Sequence, residues 1–411
     1  MKVAVIGAGS TYTPELVSGL SDLPLDELAL HDIDASRRDV VGGLARRMLE
    51  REGFEGRLEV TGELEPALAG ADFVLIQIRV GGQAARLRDE TVPLRCGCIG
   101  QETTGAGGFA KAMRTVPVVL ELAEHARELA APGAWIVDFT NPVGIVTRAL
   151  LDAGHRAVGL CNVAITFQRR LAQLLGVNVA RLWVDQVGLN HLTWIRAVWL
   201  DGRDVLGDLI EAHGDDLASE IELPRELLDD LGAIPSYYLR YFYAEREVLD
   251  ELHAGTPRAQ AVAEIERELL AMYRDESLAE KPELLEQRGG AFYSEAAAQL
   301  VASLASDRGD VQVVDVRNGA TVAGLQPDDV VEVPARVGST GPVPVEQRPL
   351  APELLGLVQH VAAYERLTAE AAVTRDRATA RRALLANPLV REYANAEQLL
   401  DALLDPVEAT S

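Results

Sequence analysis

Cysteine is nearly absent: Cys96, Cys98 and Cys161 are the only three in 411 residues. Three thiols cannot build a disulfide framework, and an odd count suits a reducing compartment. Cys96 and Cys98 stand one residue apart, without the two-residue spacer of a redox or zinc pair, so both read as packing residues. Long apolar runs are missing too. No stretch reaches the ~18 residues a membrane span needs. The opening MKVAVIGAGS meets glycine too early for a secretory leader and reads as a strand, so a cytoplasmic chain is expected. Basic residues are in deficit, 39 Lys and Arg against 63 Asp and Glu, for a net charge of −24. Nucleic acid and acidic membranes both require cationic patches, so neither is an expected partner. An anionic small molecule would need arginines gathered locally to reverse the surrounding field.

What is present is an alternation. KVAVIGAG (2–9), ELALHDID (27–34), DFVLIQI (72–78), AWIVDFT (134–140) and AVGLC (157–161) are apolar runs separated by stretches of helical spacing. Strand–helix–strand alternation of this kind predicts a parallel sheet covered on both faces. Beyond it, QVGLNHLTWIRAVWLDGRDV reads as a strand or hairpin with Asp201-Gly202 as its turn. Helical segments follow around 240–275 and 291–304, then two strand-like pieces, DVQVVDVRN and DVVEVPARV, and a helical run from about 351. The expected fold is α/β. Residues 1–165 form a Rossmann-type, doubly wound, dinucleotide-binding domain, and residues 166–411 a mixed α/β domain for substrate, metal and oligomerisation.

The first strand runs into IGAGSTYTP, which places Gly7 and Gly9 before a helix whose cap candidates are Ser10, Thr11 and Thr13 and whose first turn holds Pro14. Tyr12 stands where the dinucleotide fingerprint has its third glycine, but two glycines still permit a tight turn under a pyrophosphate. Asp32 ends the second strand, where an acid binds the adenosine ribose and repels a 2′-phosphate, favouring NAD over NADP. IGQETTGAGGFAKAMR (99–114) sets Gln101 and Glu102 ahead of glycines 105, 107 and 108, which imply close approach of backbone to something. DFTNPVG places Asn141 at a strand end facing the crevice.

Two further strand ends carry Cys161-Asn162 and Asn190-His191. Thiolate and imidazole suit a divalent transition metal with open positions left for substrate or water. A buried thiol and a satisfied core histidine explain the same residues without a metal, and the residues alone leave both readings open. In SYYLRYFYAERE, Tyr238 and Tyr241 lie three apart on one helical face, either as packing or as a phenol poised for proton transfer.

These pieces, VIGAGSTYTPELV, VGGQAARLRDE, IGQETTGAGGFAKAMRT, FTNPVG, GLCNV, GLNHLTW, YLRYFY and RGGAFYSEAAA, occur in order along nearly the whole chain. Together they make the sequence resemble glycoside hydrolase family 4, and within it the 6-phospho-β-glucosidases. The resemblance implies that Gly7, Gly9, Ser10, Thr11, Asp32, Gln101 and Glu102 serve NAD. It implies that Cys161 and His191 ligate a divalent metal, typically Mn2+, and that Arg86, Asn141 and Arg288 contact the phosphorylated sugar. A tyrosine of YLRYFY, Tyr238 ahead of Tyr241, is implied as general base. Asn162, where α-specific relatives tend to carry aspartate, favours β-linked substrates, and Ala164 departs from the proline common after CNV. The implied chemistry is oxidation at C3, deprotonation at C2, elimination at C1, addition of water and reduction at C3, in a homodimer or homotetramer. This NAD-dependent family is a known exception to the two-carboxylate glycosidase scheme. The substrate phosphate would explain how an acidic protein takes an anion, with Arg86, Arg88, Arg95 and Arg288 as candidate cations and Asp89 and Glu90 as competing partners. The alternatives are another specificity of the family, α-glycosidase or galacturonase, a non-catalytic NAD sensor, and a plain NAD-dependent dehydrogenase, which would leave Cys161 and His191 idle.

Overall fold

Every apolar run predicted as a strand in the first half becomes one. The computed structural model describes residues 1–289 and 292–404. Its first six strands are β1 (Lys2–Ile6), β2 (Glu27–His31), β3 (Arg57–Thr61), β4 (Phe73–Ile76), β5 (Trp135–Asp138) and β6 (Ala157–Gly159). They lie in the order β6-β5-β4-β1-β2-β3, all pairs parallel. This is the doubly wound arrangement, with its switch point between β1 and β4. β1, β2 and β4 are almost wholly buried because helices cover both faces. β3 was not predicted: as the sheet's outer strand it is only partly covered, and RLEVT lacks a continuous apolar run.

The second half continues the same sheet. β7 (Leu182–Leu189), β8 (Leu192–Leu200), β9 (Arg203–Asp204), β10 (Ile234–Pro235), β11 (Asp310–Arg317), β12 (Val330–Gly338) and β13 (Gly341–Pro344) add antiparallel strands, joined to β6 through β11. The α/β expectation of a parallel sheet followed by a mixed lobe therefore holds. The division drawn at 165/166 falls inside the helix Val163–Leu175. We propose it as a boundary of organisation between two lobes that share one sheet.

The predicted hairpin is two hairpins. Asp201 and Gly202 do form the β8–β9 turn, both at positive φ. A tighter turn, Asn190-His191, joins β7 to β8, since Leu189 pairs with Leu192. His191 takes φ +62° there, a left-handed conformation that few residues other than glycine adopt. The closing helical run is three helices, Pro352–Thr374, Arg377–Leu385 and Tyr393–Leu404. Among the described residues no helix is long and apolar enough to cross a membrane.

Candidate active site

Residues at the carboxyl ends of the parallel strands line a cavity of about 1180 Å3. Open α/β sheets bind ligands at this edge. The volume exceeds the ~300–1,000 Å3 of a site for one small molecule, leaving room for two ligands. Helix Arg258–Tyr273 contributes Arg258, Val262 and Glu266 to its wall.

Gly7, Gly9, Ser10 and Asp32 all line it. Gly7 takes φ +91°, and its N–H and that of Ala8 donate to the His31 carbonyl at 3.0 and 2.9 Å. Gly9 donates to Asp32 Oδ2 at 2.7 Å, and Asp32 Oδ1 accepts from Asp34 N at 2.8 Å. A methyl group at Gly9 would sit 2.7 Å from the Asp32 carboxyl carbon, so the turn and the acid are matched. The helix after this turn spans Thr13–Leu20 with no side-chain cap; Ser10 Oγ instead accepts from Tyr12 N at 3.2 Å. Thr11 is fully buried and does not reach the cavity: its hydroxyl accepts from Arg288 Nε at 2.8 Å.

A second group carries charge. Glu102 is buried among three cations: Lys111 at 2.7 Å, Arg86 at 3.4 Å, and Arg79, which donates to it directly. Burial disfavours its charge, yet Lys111, Arg79 and Arg86 outweigh burial and hold the carboxyl well below the usual range. Burial and Arg79 push the Lys111 ammonium down to about 8. Arg86 also pairs with Glu90 at 2.7 Å, the competing pairing expected for that acid, while Asp89 pairs with Arg114 at 2.6 Å, outside the four candidate cations. Arg288 lines the cavity but is bonded to Thr11, Ser10 and Glu266. Arg88, by contrast, donates to the Ala402 carbonyl, and neither it nor Arg95 lines the cavity. Composition had not singled out Arg79, Lys111 or Glu266. Arg79 follows β4 directly, the position where crevice residues fall, and Lys111 is a lone lysine in an otherwise apolar helix segment; both were findable signals.

The third group centres on His191. Its ring stacks on Tyr238 with centroids 3.7 Å apart and planes 7° from parallel. Both line the cavity, with Asn141 and Asn162. Burial and Lys111 drive the His191 imidazolium down to about 3, so the ring is neutral. Burial, chiefly, pushes the Tyr238 phenol well above its ordinary value. Cys161 is buried behind the lining, where the Asn190 side chain hydrogen-bonds its thiol; burial and Glu332 push that thiol up. Tyr241 faces elsewhere, in an apolar cluster with Ile99, Val248 and Leu389. Asn162 stands at the N-terminus of helix Val163–Leu175. Asn141 Oδ1 is buried without a hydrogen-bond partner, as a waiting polar contact would be.

Gln101 is placed differently from its expected cofactor contact. Its side-chain oxygen accepts from Thr103 N at 2.5 Å and Thr104 N at 2.6 Å, and the residue does not line the cavity. The glycines behind it approach backbone rather than ligand. A methyl group at Gly107 would lie 2.2 Å from the Gln101 carbonyl oxygen, and one at Gly108 2.3 Å from that of Thr103.

Behind Cys161 lie buried acids. Glu332 accepts from Gln186 at 2.7 Å and Asn190 at 2.8 Å; burial pushes it up to about 7 against those bonds. Burial pushes Glu365 up to about 8 from 4.5, with Arg148 opposing. A carboxyl raised in the folded state keeps a proton that the unfolded chain has already released. Its contribution is therefore most favourable below pH 4.5 and declines as pH rises toward 8. Glu365→Gln should flatten that decline: the melting temperature of the variant falls less than that of the wild type between about pH 5 and pH 8.

Among the described residues no set of three or more His, Cys, Asp or Glu side chains gathers as a metal site. The model of the family described as "Family 4 glycosyl hydrolase" matches residues 2–177, and that of "Family 4 glycosyl hydrolase C-terminal domain" matches residues 186–390. A Bacillus subtilis protein named "Probable 6-phospho-beta-glucosidase" is 43% identical, covering 100% of this chain and 97% of the relative. The solved structure of the 6-phospho-beta glucosidase from Thermotoga maritima with NAD and glucose-6-phosphate superposes with a TM-score of 0.93 at 36% identity, over 98% of this chain and 97% of that one. A second structure of that enzyme holds manganese as well, with a TM-score of 0.91 at 35% identity over the same shares. The phospho-alpha-glucosidase PagL of Clostridium acetobutylicum is 29% identical over 98% of this chain and 97% of its own length.

Proposed function

This chain belongs to family 4 of the glycosyl hydrolases, and from that premise we propose that it hydrolyses 6-phospho-β-glucosides, using NAD and Mn2+ as cofactors. The observation that carries the reading is a single cavity that joins a dinucleotide turn, a cationic wall and the His191–Tyr238 stack. The β-anomer is favoured over the α by Asn162 and by the names of the 43% and 36% identical relatives, against 29% for an α-acting one.

The residues fit both cofactors. Gly7, Gly9 and Asp32 form the tight turn and acid that hold an adenosine half, and Asp32 excludes a 2′-phosphate. His191 offers a neutral ring to the cavity, and Cys161, buried just past β6, is its proposed partner on the metal. When bound, the nicotinamide supplies a reversible hydride acceptor and the metal a Lewis acid that acidifies a proton next to a ketone.

The chain's own residues do the rest. Arg86 and Arg79 bind the phosphate, since each already balances Glu102 and retains guanidinium donors toward the cavity. Asn141 orients the sugar through its unbonded carbonyl oxygen. Burial alone keeps the Tyr238 phenol protonated, so it would serve as the C2 base only once a cation bound beside His191 had lowered it to the phenolate. That oxygen would then take the C2 proton, and the aglycone would leave from C1 by elimination. The aromatic stack fixes the phenol, so no loop closure is required to place it.

Purified protein supplied with NAD+, Mn2+ and a thiol reductant is expected to cleave an aryl 6-phospho-β-glucoside and to react poorly with the unphosphorylated glucoside. Deuterium placed at C2 should wash out into water during turnover. Accumulation of NADH without release of the aglycone would overturn the reading in favour of a simple dehydrogenase.

A further inference from the structure

We propose that Gln101 and Thr103 are positioning residues that fix the tautomer of His191, leaving Nε2 unprotonated and available to a divalent cation. The inference rests on the metal reading above, but its logic is carried by hydrogen-bond polarity alone. Two backbone donors, Thr103 N at 2.5 Å and Thr104 N at 2.6 Å, converge on one atom of the Gln101 amide. Only the amide oxygen can receive them, so the orientation of the Gln101 side chain is settled. The Thr103 hydroxyl lies 2.9 Å from that same oxygen and is its donor. A hydroxyl has one proton, and Thr103 Oγ1 has two neighbours at hydrogen-bond distance to share it between.

Thr103 Oγ1 also lies 2.9 Å from His191 Nδ1. An O···O separation of 2.9 Å with no hydrogen between would set lone pairs against each other, so we place the hydroxyl proton toward Gln101 and let the Thr103 oxygen accept from Nδ1–H. A neutral imidazole with Nδ1–H has its lone pair on Nε2. The relay Gln101–Thr103–His191 thus does for this histidine what a carboxylate or carbonyl does behind many metal-bound histidines. It also gives Gln101 a task that its expected cofactor contact did not describe. The relay is rigid because the Gly107 and Gly108 backbones pack directly beneath the Gln101 and Thr103 carbonyls.

Thr103→Val keeps the shape of the side chain and removes the acceptor; Thr103→Ser restores it. Two measurements separate the possibilities. In metal-free wild type, ¹⁵N spectra of the histidine side chains, assigned with His191→Gln, should show His191 protonated at Nδ1. Mn2+ binding followed by the electron spin resonance of the free ion should weaken roughly 10- to 100-fold in Thr103→Val, the usual cost of losing such a partner, and recover in Thr103→Ser. Circular dichroism and melting confirm that the variants are folded. A His191 protonated at Nε2, or a folded Thr103→Val that binds Mn2+ as tightly as wild type, overturns the inference alone. Wild type that leaves Mn2+ free overturns the metal reading and the inference together.

Discussion

Replacing Tyr238 by phenylalanine is expected to lower kcat by roughly 10²–10⁴-fold, the range contributed by a positioned general base. The substitution keeps the ring that stacks on His191 and removes the one atom proposed to take the C2 proton. Stability should change little, because no described hydrogen bond to the Tyr238 hydroxyl holds neighbouring elements together. Tyr241→Phe is the matched control. That phenol packs against Ile99, Val248 and Leu389, outside the cavity lining, and its loss should change kcat only a few-fold. The rate of C2 deuterium washout, measured beside aglycone release, should fall in step with kcat for Tyr238→Phe. If Tyr241→Phe suffers the larger loss, the proton goes elsewhere and the assignment of the base fails.

Glu102→Gln should be the most destabilising single change in the site, by ~3–5 kcal/mol, the cost of removing one partner from a buried charge cluster. The carboxylate sits at 8% exposure with Lys111, Arg79 and Arg86 converging on it. Its removal leaves Lys111 and Arg79 without their carboxylate and Arg86 with Glu90 alone. The pH dependence has a fixed sign. Because the folded carboxyl lies below its ordinary value of 4.5, its stabilisation is complete above that pH and is lost as acid protonates it. Chemical denaturation of the wild type and Glu102→Gln at neutral pH, and again near pH 3, tests both statements: the gap between the proteins should narrow in acid. A variant as stable as wild type at neutral pH would show that the cations find water or other acids instead.

The sequence made the parallel half of the sheet legible because strands buried on both faces must be apolar throughout, as in KVAVI and FVLI. β3 escaped because an outer strand carries charge, and Asn190-His191, read as a strand end, proves to be the tight turn that joins β7 to β8. Motif reasoning found Gly7, Gly9, Asp32, Asn141, Asn162, His191 and Tyr238, and all seven line one cavity. It assigned Gln101 and Thr11 to the cofactor, whereas in the structure the Gln101 side-chain oxygen and the Thr11 hydroxyl bond within the protein and neither residue lines the cavity. The two placements share a cause. Residue type announces that an oxygen is present; only the folded backbone decides whether a neighbouring amide or guanidinium claims it first. Glu266 has no spacing rule to betray it within its helical run, whereas Arg79, just past β4, and Lys111, alone among apolar helix residues, are legible once those positions are weighed.

The run GAGG looks like a phosphate cradle and is instead a foundation. Its helix lies so close to the loop above that a side chain as small as a methyl would have to occupy the volume of a carbonyl oxygen. Lifting that loop by an atom's width would carry off the hydroxyl on which the imidazole leans. On the reading proposed above, the grip of this protein on its metal is thus regulated by two hydrogen atoms of glycines that never meet the ion, and enlarging either would be felt as a leaking cation long before it was seen as a change of fold.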